Sequence, residues 1–397
     1  MTVILIYIGF ATLLNFASSS KLKTQTQKGL HKSIELKNVE SINLLDTKDV
    51  SENEIPQHLE VALSIGTPAV NVIALINQAS VGIAVLIADS KHPSYYNYSA
   101  SSTLTDFQSD SKFWDFPNVN SGNEKIVFNK YTLESQEVYF LNSSIIDNYD
   151  YSIIGLGYDT TLNEKHLLTN LKKSGYISEA NYAINYKCNS IDVGVNIEEY
   201  NSMSNVIVLN SNDSWIITPD SVDISRFSYT QQNAQFRIEK DCISGPSSQI
   251  NDLFNEIINI TSRCTEYNDH IKCSCTENQF ELLPKITFKF DNKKLEIEGK
   301  HYTVYKDGQC EIFVSNKTYT DNWVLGKPFY NGHTAVFDIE TKKISINPIS
   351  KCEKLIQITN LYEIIFGIFA IVTIASFVVM LVIILVKSKN EKGYKRI

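Results

Sequence analysis

Ile65-Gly66-Thr67-Pro68, followed after three intervening residues by Val72-Ile73-Ala74-Leu75-Ile76-Asn77-Gln78-Ala79-Ser80, is the stretch on which the fold turns. Gly66 to Pro68 has the makings of a tight turn, since proline fixes φ and glycine is free to take a positive one. Leu59 to Ile65 before it and Asn71 to Ile76 after it are rich in strand formers. The stretch predicts a hairpin whose second strand delivers Asn77-Gln78-Ala79-Ser80 to a loop.

Taken in this order the residues resemble the pepsin-like aspartic proteases. In that family an Ile-Gly-Thr-Pro turn leads through a hydrophobic strand into Asp-Thr-Gly-Ser, which carries the first catalytic acid. The spacing and the flanking hydrophobics agree, out to Ile83 and Val85 beyond the loop. The acid does not: Asn77 stands where the family has Asp, Gln78 where it has Thr and Ala79 where it has Gly, while Ser80 is kept.

Further landmarks extend the resemblance over roughly residues 57–348. Asp150-Tyr151-Ser152-Ile153-Ile154-Gly155-Leu156-Gly157-Tyr158 is similar to the family's Asp-Gly-Ile-Leu-Gly-Leu-Gly, in which a glycine permits close backbone approach beside the acid loop. Trp215 to Val222 resembles the strand that opens the second lobe. Leu283 to Phe288 and Trp323-Val324-Leu325-Gly326-Lys327-Pro328-Phe329 are landmarks within that lobe. Val324-Leu325-Gly326 is the partner of Ile153-Ile154-Gly155, and Lys327 replaces an Asp usual after that glycine. The fold implied is mainly β and bilobal, a domain over 56–350 with lobes of about 56–200 and 201–350. Where the family has its flap hairpin the chain has Phe113 to Gly122; no flap tyrosine can be assigned there, and Pro117 removes a backbone donor that a regular hairpin would use.

The second acid is expected between Ala234 and Pro246, and two alignments compete. Counting back from Gly245-Pro246 puts Arg237 at the acid position, whereas requiring an acid selects Asp241. Peptide hydrolysis by this family needs two carboxylates that share one proton and titrate as a unit. An asparagine can orient a water but has no proton to exchange in the working range. Gln78 also lacks the hydroxyl with which the family's threonine ties the two loops together. The catalytic pair is therefore read as degenerate at Asn77 and at Arg237 or Asp241.

Composition sets the wider frame. The net charge of −8 and the 43% hydrophobic content disfavour a nucleic-acid binder and fit a globular protein with some membrane-embedded length. The apolar run Val3 to Leu14, ending in Ala17-Ser18-Ser19-Ser20, predicts a signal peptide over 1–20, with an uncleaved anchor as the alternative. Residues 21–55 begin basic and turn acidic, which fits either a propeptide-like leader or a solvated segment that packs against nothing in particular. Ile364 to Val386 is uncharged over about 23 residues, enough as a helix to span roughly 35 Å. The basic tail 387–397 then predicts a type I, single-pass topology with a lumenal or extracellular ectodomain. Gly393-Tyr394-Lys395-Arg396-Ile397 resembles the sorting signals of lysosomal membrane proteins, and so points through Tyr394 and Ile397 to endolysosomal residence.

All seven cysteines fall in that ectodomain, where disulfides form. The resemblance implies a second-lobe disulfide from Cys275 or Cys273 to Cys310. Cys273-Ser274-Cys275 has no second pair at zinc spacing, so neither a metal nor a cofactor is expected. Glycosylation sequons occur at Asn97, Asn142, Asn212, Asn259 and Asn316. Three functions remain open. The first is a non-catalytic, membrane-anchored relative that binds a peptide or protein in the inter-lobe cleft. The second is an active aspartic endopeptidase using Asp241, and the third a scaffold or adhesion ectodomain.

Overall fold

The computed structural model describes residues 40–43, 376, 379, 380 and 59–348, the last without 89–94, 114–115, 143–150, 160, 163–164, 204, 212, 268–269 and 317–320. The strand Glu60–Ile65 pairs antiparallel with Val70–Asn77, Ile65 opposite Val70, and Gly66 takes φ +78° in the turn between them. Val70–Asn77 then runs parallel to Ser152–Leu156, with Asn77 level with Gly155. Val81–Leu86 lies antiparallel on the other side of Ser152–Leu156, so the loop between Asn77 and Val81 straddles that strand. The outer side of the seven-stranded sheet is completed by Tyr131–Leu141, Phe116–Phe128 and Thr105–Phe113.

The second half repeats the arrangement. Ala234–Phe236 runs parallel to Trp323–Leu325, and Ile243–Ser244 lies antiparallel on the far side of the same strand. In both halves a glycine sits under the straddling loop. A Cβ on Gly155 would come within 2.5 Å of the Ser80 carbonyl oxygen, and one on Gly326 would collide likewise with the carbonyls of Lys240 and Cys242. These contacts explain why Ile154-Gly155 and Leu325-Gly326 recur: any side chain there would push the loop off the strand.

A six-stranded sheet joins the halves. Ser190–Val193 and Asn181–Asn185 meet His333–Asp338, Lys343–Pro348 and Ile207–Asn210 in one hydrogen-bonded array. Glu40–Asn43 adds an edge strand on Ser190–Val193, with Glu40 opposite Val193. That part of the leader is thus paired in the sheet, and not the segment without packing that its composition also allowed. A single buried cluster runs through both halves, with Ile76, Ile154, Tyr182, Trp215, Phe236 and Phe337 among its members.

Thr105–Phe113 and Phe116–Phe128 form the hairpin at the expected flap position despite Pro117, but their register shifts three times along its length. The helix Ser247–Ile260 starts directly after Pro246 and buries Ile250, Leu253 and Ile257, the 3–4 spacing of one helix face. Cys275 is bonded to Cys310 and Cys264 to Cys273, while Cys188 is disulfide-bonded as well. Asn97 and Asn259 are exposed, as a glycosylated residue must be. Among the described residues no helix is long and apolar enough to cross a membrane. The expected signal peptide (1–20), tail (387–397) and nearly all of the expected span (364–386) lie outside them.

Candidate functional site

The last residue of Val70–Asn77 places an amide where its strand meets the opposite half. Asn77 is 7% exposed, and its Oδ1 accepts three hydrogen bonds: from Ala79 N–H at 2.8 Å, from Ser80 N–H at 2.9 Å and from Ser80 Oγ at 3.1 Å. Two backbone donors aimed at one atom identify that atom as the oxygen. The side chain thereby folds the loop back on itself, as Asx turns do. A carboxylate oxygen could accept the same bonds. What the amide cannot do is give or take a proton.

On the other side, the parallel register sets Phe236 opposite Leu325, so the next residue, Arg237, stands level with Gly326 as Asn77 stands level with Gly155. Its N–H donates to Leu325 O at 3.0 Å, and its carbonyl accepts from Lys240 N–H at 2.9 Å, which closes the second loop through the main chain. The Arg237 guanidinium donates through Nε to Glu239 Oε1. Asp241, the alternative acid, lies farther along. Its side chain is 47% exposed and receives Lys327 Nζ, which is buried. Burial pushes the Lys327 ammonium below its usual range, and the charges of Asp241 and Glu239 pull it back up.

Between the two loops runs a bridge built mainly by Gln78, which is fully buried. Its backbone N–H donates to Glu239 Oε2 at 3.1 Å. Its Oε1 accepts from Ile238 N–H at 3.0 Å and from the Tyr330 hydroxyl at 2.6 Å. Its Nε2 donates to the Tyr182 hydroxyl at 3.0 Å, which in turn donates to Leu156 O at 2.9 Å. Burial raises both phenols well above their ordinary range, so they remain donors. The tie that a missing threonine hydroxyl seemed to remove is therefore present, made by a longer amide.

The site thus holds Asn77 and Gln78 from one loop and Arg237, Ile238 and Glu239 from the other. Asp241 is drawn away to Lys327. Sequence reasoning flagged Asn77, Arg237, Asp241 and Lys327, but gave no role to Glu239, Tyr182 or Tyr330. The Gln78–Tyr182 and Gln78–Tyr330 contacts span 104 and 252 residues, and no local pattern announces them. In chemical terms the arrangement pairs each nearby carboxylate with a cation, Glu239 with Arg237 and Asp241 with Lys327. Among the described residues no group of His, Cys, Asp and Glu side chains could hold a metal ion. Set against known protein families, residues 57–349 match the model described as eukaryotic aspartyl protease. Comparison with curated proteins gave no match.

Proposed function

Since the chain belongs to the eukaryotic aspartyl protease family, with which it shares residues 57–349, we propose that it is a non-catalytic member that binds a peptide or protein segment between its lobes. The observation that carries this reading is the Asn77 amide. At the strand end where the family resemblance calls for an acid, its oxygen is engaged by three donors of its own loop. General acid–base hydrolysis needs a group at that point which exchanges a proton with water or substrate, and an amide supplies none. The opposite loop offers a guanidinium, which donates hydrogen bonds and has no acceptor lone pair. The lobes, the paired loops and the hairpin need none of these acids, so a cleft built on strands and apolar side chains can persist without hydrolysis.

The deciding experiment uses the full chain in an acid-pH peptidase assay with and without a pepstatin-type inhibitor. The reading expects no inhibitor-sensitive cleavage, and such cleavage would overturn it in favour of an active endopeptidase. Peptide binding that is lost on remodelling the cleft would separate this reading from a scaffold whose cleft holds nothing.

The reading also includes a membrane anchor over 364–386, an exported ectodomain with a cleaved signal over 1–20, and endolysosomal residence directed by Tyr394 and Ile397. Support comes from the uncharged length of the first and the basic residues that follow it. Resistance to carbonate extraction tests the anchor. Tyr394→Ala should move the protein to the cell surface, and an unchanged distribution would refute the sorting signal.

A further inference from the structure

Glu239 is bound in an unusual way for a side chain so close to its own partner. Its Oε1 takes the Arg237 guanidinium two residues back, while its Oε2 takes the Gln78 N–H from the loop of the other lobe. A carboxylate with one oxygen on a guanidinium and the other on a backbone N–H is held as a ligand's carboxylate is commonly held. We propose that these donors form a carboxylate seat, that Glu239 is its built-in occupant, and that a peptide bound in the cleft takes the seat with an acidic side chain or its C-terminus.

Three features support this, all resting on the cleft-binding reading above. The backbone of both donor residues is fixed independently of Glu239. The Arg237 backbone is anchored by its N–H on Leu325 O, and the Gln78 N–H is held in place by that residue's side chain on Ile238, Tyr330 and Tyr182. The Gln78 N–H would therefore stay aimed when the carboxylate leaves, and the base of the Arg237 side chain would stay in place, which limits the reorganisation that opposes an exchange. Secondly, the local charge favours an anion: beside the pairs Arg237–Glu239 and Lys327–Asp241 the loop carries the exposed Lys240. Swinging Glu239 out leaves that surplus of positive charge larger, and an incoming carboxylate restores the balance. Thirdly, the Glu239 side chain keeps 14% of its surface exposed and its neighbour Lys240 is exposed, so the seat lies close beneath solvent. The Asn77 oxygen, turned into its own loop, does not compete for the guanidinium.

Two measurements on the full chain test the seat. In Glu239→Ala, sodium formate is compared with sodium chloride at equal ionic strength. Formate should raise the unfolding midpoint by about 3 °C, and have little effect on the unmutated chain or on Glu239→Ala combined with Arg237→Gln. Equal effects of the two salts in Glu239→Ala would overturn the seat. The second measurement uses random peptide pools with a fixed central Glu or Gln, each with a free or an amidated C-terminus, read by fluorescence polarisation on the unmutated chain. At least one carboxylate-bearing pool should bind about tenfold more tightly than the amidated Gln pool, with the advantage lost in Arg237→Gln. The Glu and free-terminus arms tell which source supplies the carboxylate. If all pools bind alike, the cleft reading stands and the carboxylate inference falls. If none binds while formate still rescues Glu239→Ala, the seat stands and the peptide reading falls. A failure of both measurements removes both.

Discussion

The loops that begin at Asn77 and at Arg237 are the same object built twice with different chemistry. Each leaves a strand that runs parallel to a hydrophobic–Gly segment, crosses above the glycine and returns on the far side. In the first an amide closes the loop on its own backbone; in the second a guanidinium reaches a carboxylate two residues on. The comparison separates two demands that an active protease would satisfy together. Backbone geometry here depends on glycines, strand register and main-chain hydrogen bonds. The identity of the group displayed at the strand end is free to change without disturbing it.

Several perturbations would break or sharpen that comparison. The largest effect should come from acid. Burial pushes His166 in the first half and His301 in the second down to about 4, and it lowers His333 as well, although the Glu298 carboxylate partly offsets the effect at His301 and His333. Their rings lie 5.8 Å apart. These histidines are neutral when folded and would take up protons more readily when unfolded. Their contribution is therefore complete above about pH 6.5 and lost as pH falls toward about 4, by up to about 3 kcal/mol for each fully shifted group. Hydrogen exchange followed through this range should show the second half, with two such residues, loosening before the first. Equal loosening would show that the histidines do not set the order.

The pair Asp241–Lys327 should respond asymmetrically. Asp241→Asn leaves the buried ammonium without its carboxylate and should cost about 3 kcal/mol in urea unfolding, whereas Lys327→Met leaves a half-exposed carboxylate that water can solvate and should cost less than about 1 kcal/mol. Equal losses would mean that the lysine's burial is not what gives the pair its weight. Gln78→Ala strips partners from Ile238 N–H, Tyr182 and Tyr330 and should cost about 2 kcal/mol. A neutral result would show that the bridge between the loops is incidental. The smallest change is expected from Asn77→Asp. One restored carboxylate has no second, unpaired acid to share a proton with, since Glu239 is held by Arg237 and Asp241 by Lys327, so peptidase activity should stay absent; activity from this single substitution would show that a second acid is already in place.

Much of this is legible in the sequence. Gly66, Gly155 and Gly326 could be read because each answers to a backbone requirement that few other residues meet: a positive φ in one case, an oversailing loop in the other two. Asn77 could be read by its fixed distance from that turn. The second loop left Arg237 and Asp241 open because it has no glycine beside the acid position to fix the count, and the register opposite Leu325 supplies what the count could not. The role of Gln78 is hidden in the sequence for a physical reason. A missing hydroxyl was noted, but whether a longer side chain reaches the same N–H depends on Ile238, Tyr182 and Tyr330, which come together only in the fold. The same holds for Glu239, one of many acidic residues until the opposite loop presents it with an N–H.

The short strand Glu40–Asn43 has a bearing on processing. Because it is laced to Ser190–Val193 by main-chain pairing, a protease cut between residues 43 and 59 would not by itself discard it. The product would be a nicked, two-piece molecule whose small fragment departs only by dissociation. Its departure would bare a row of unpaired peptide groups along the sheet, a surface onto which another extended segment could anneal.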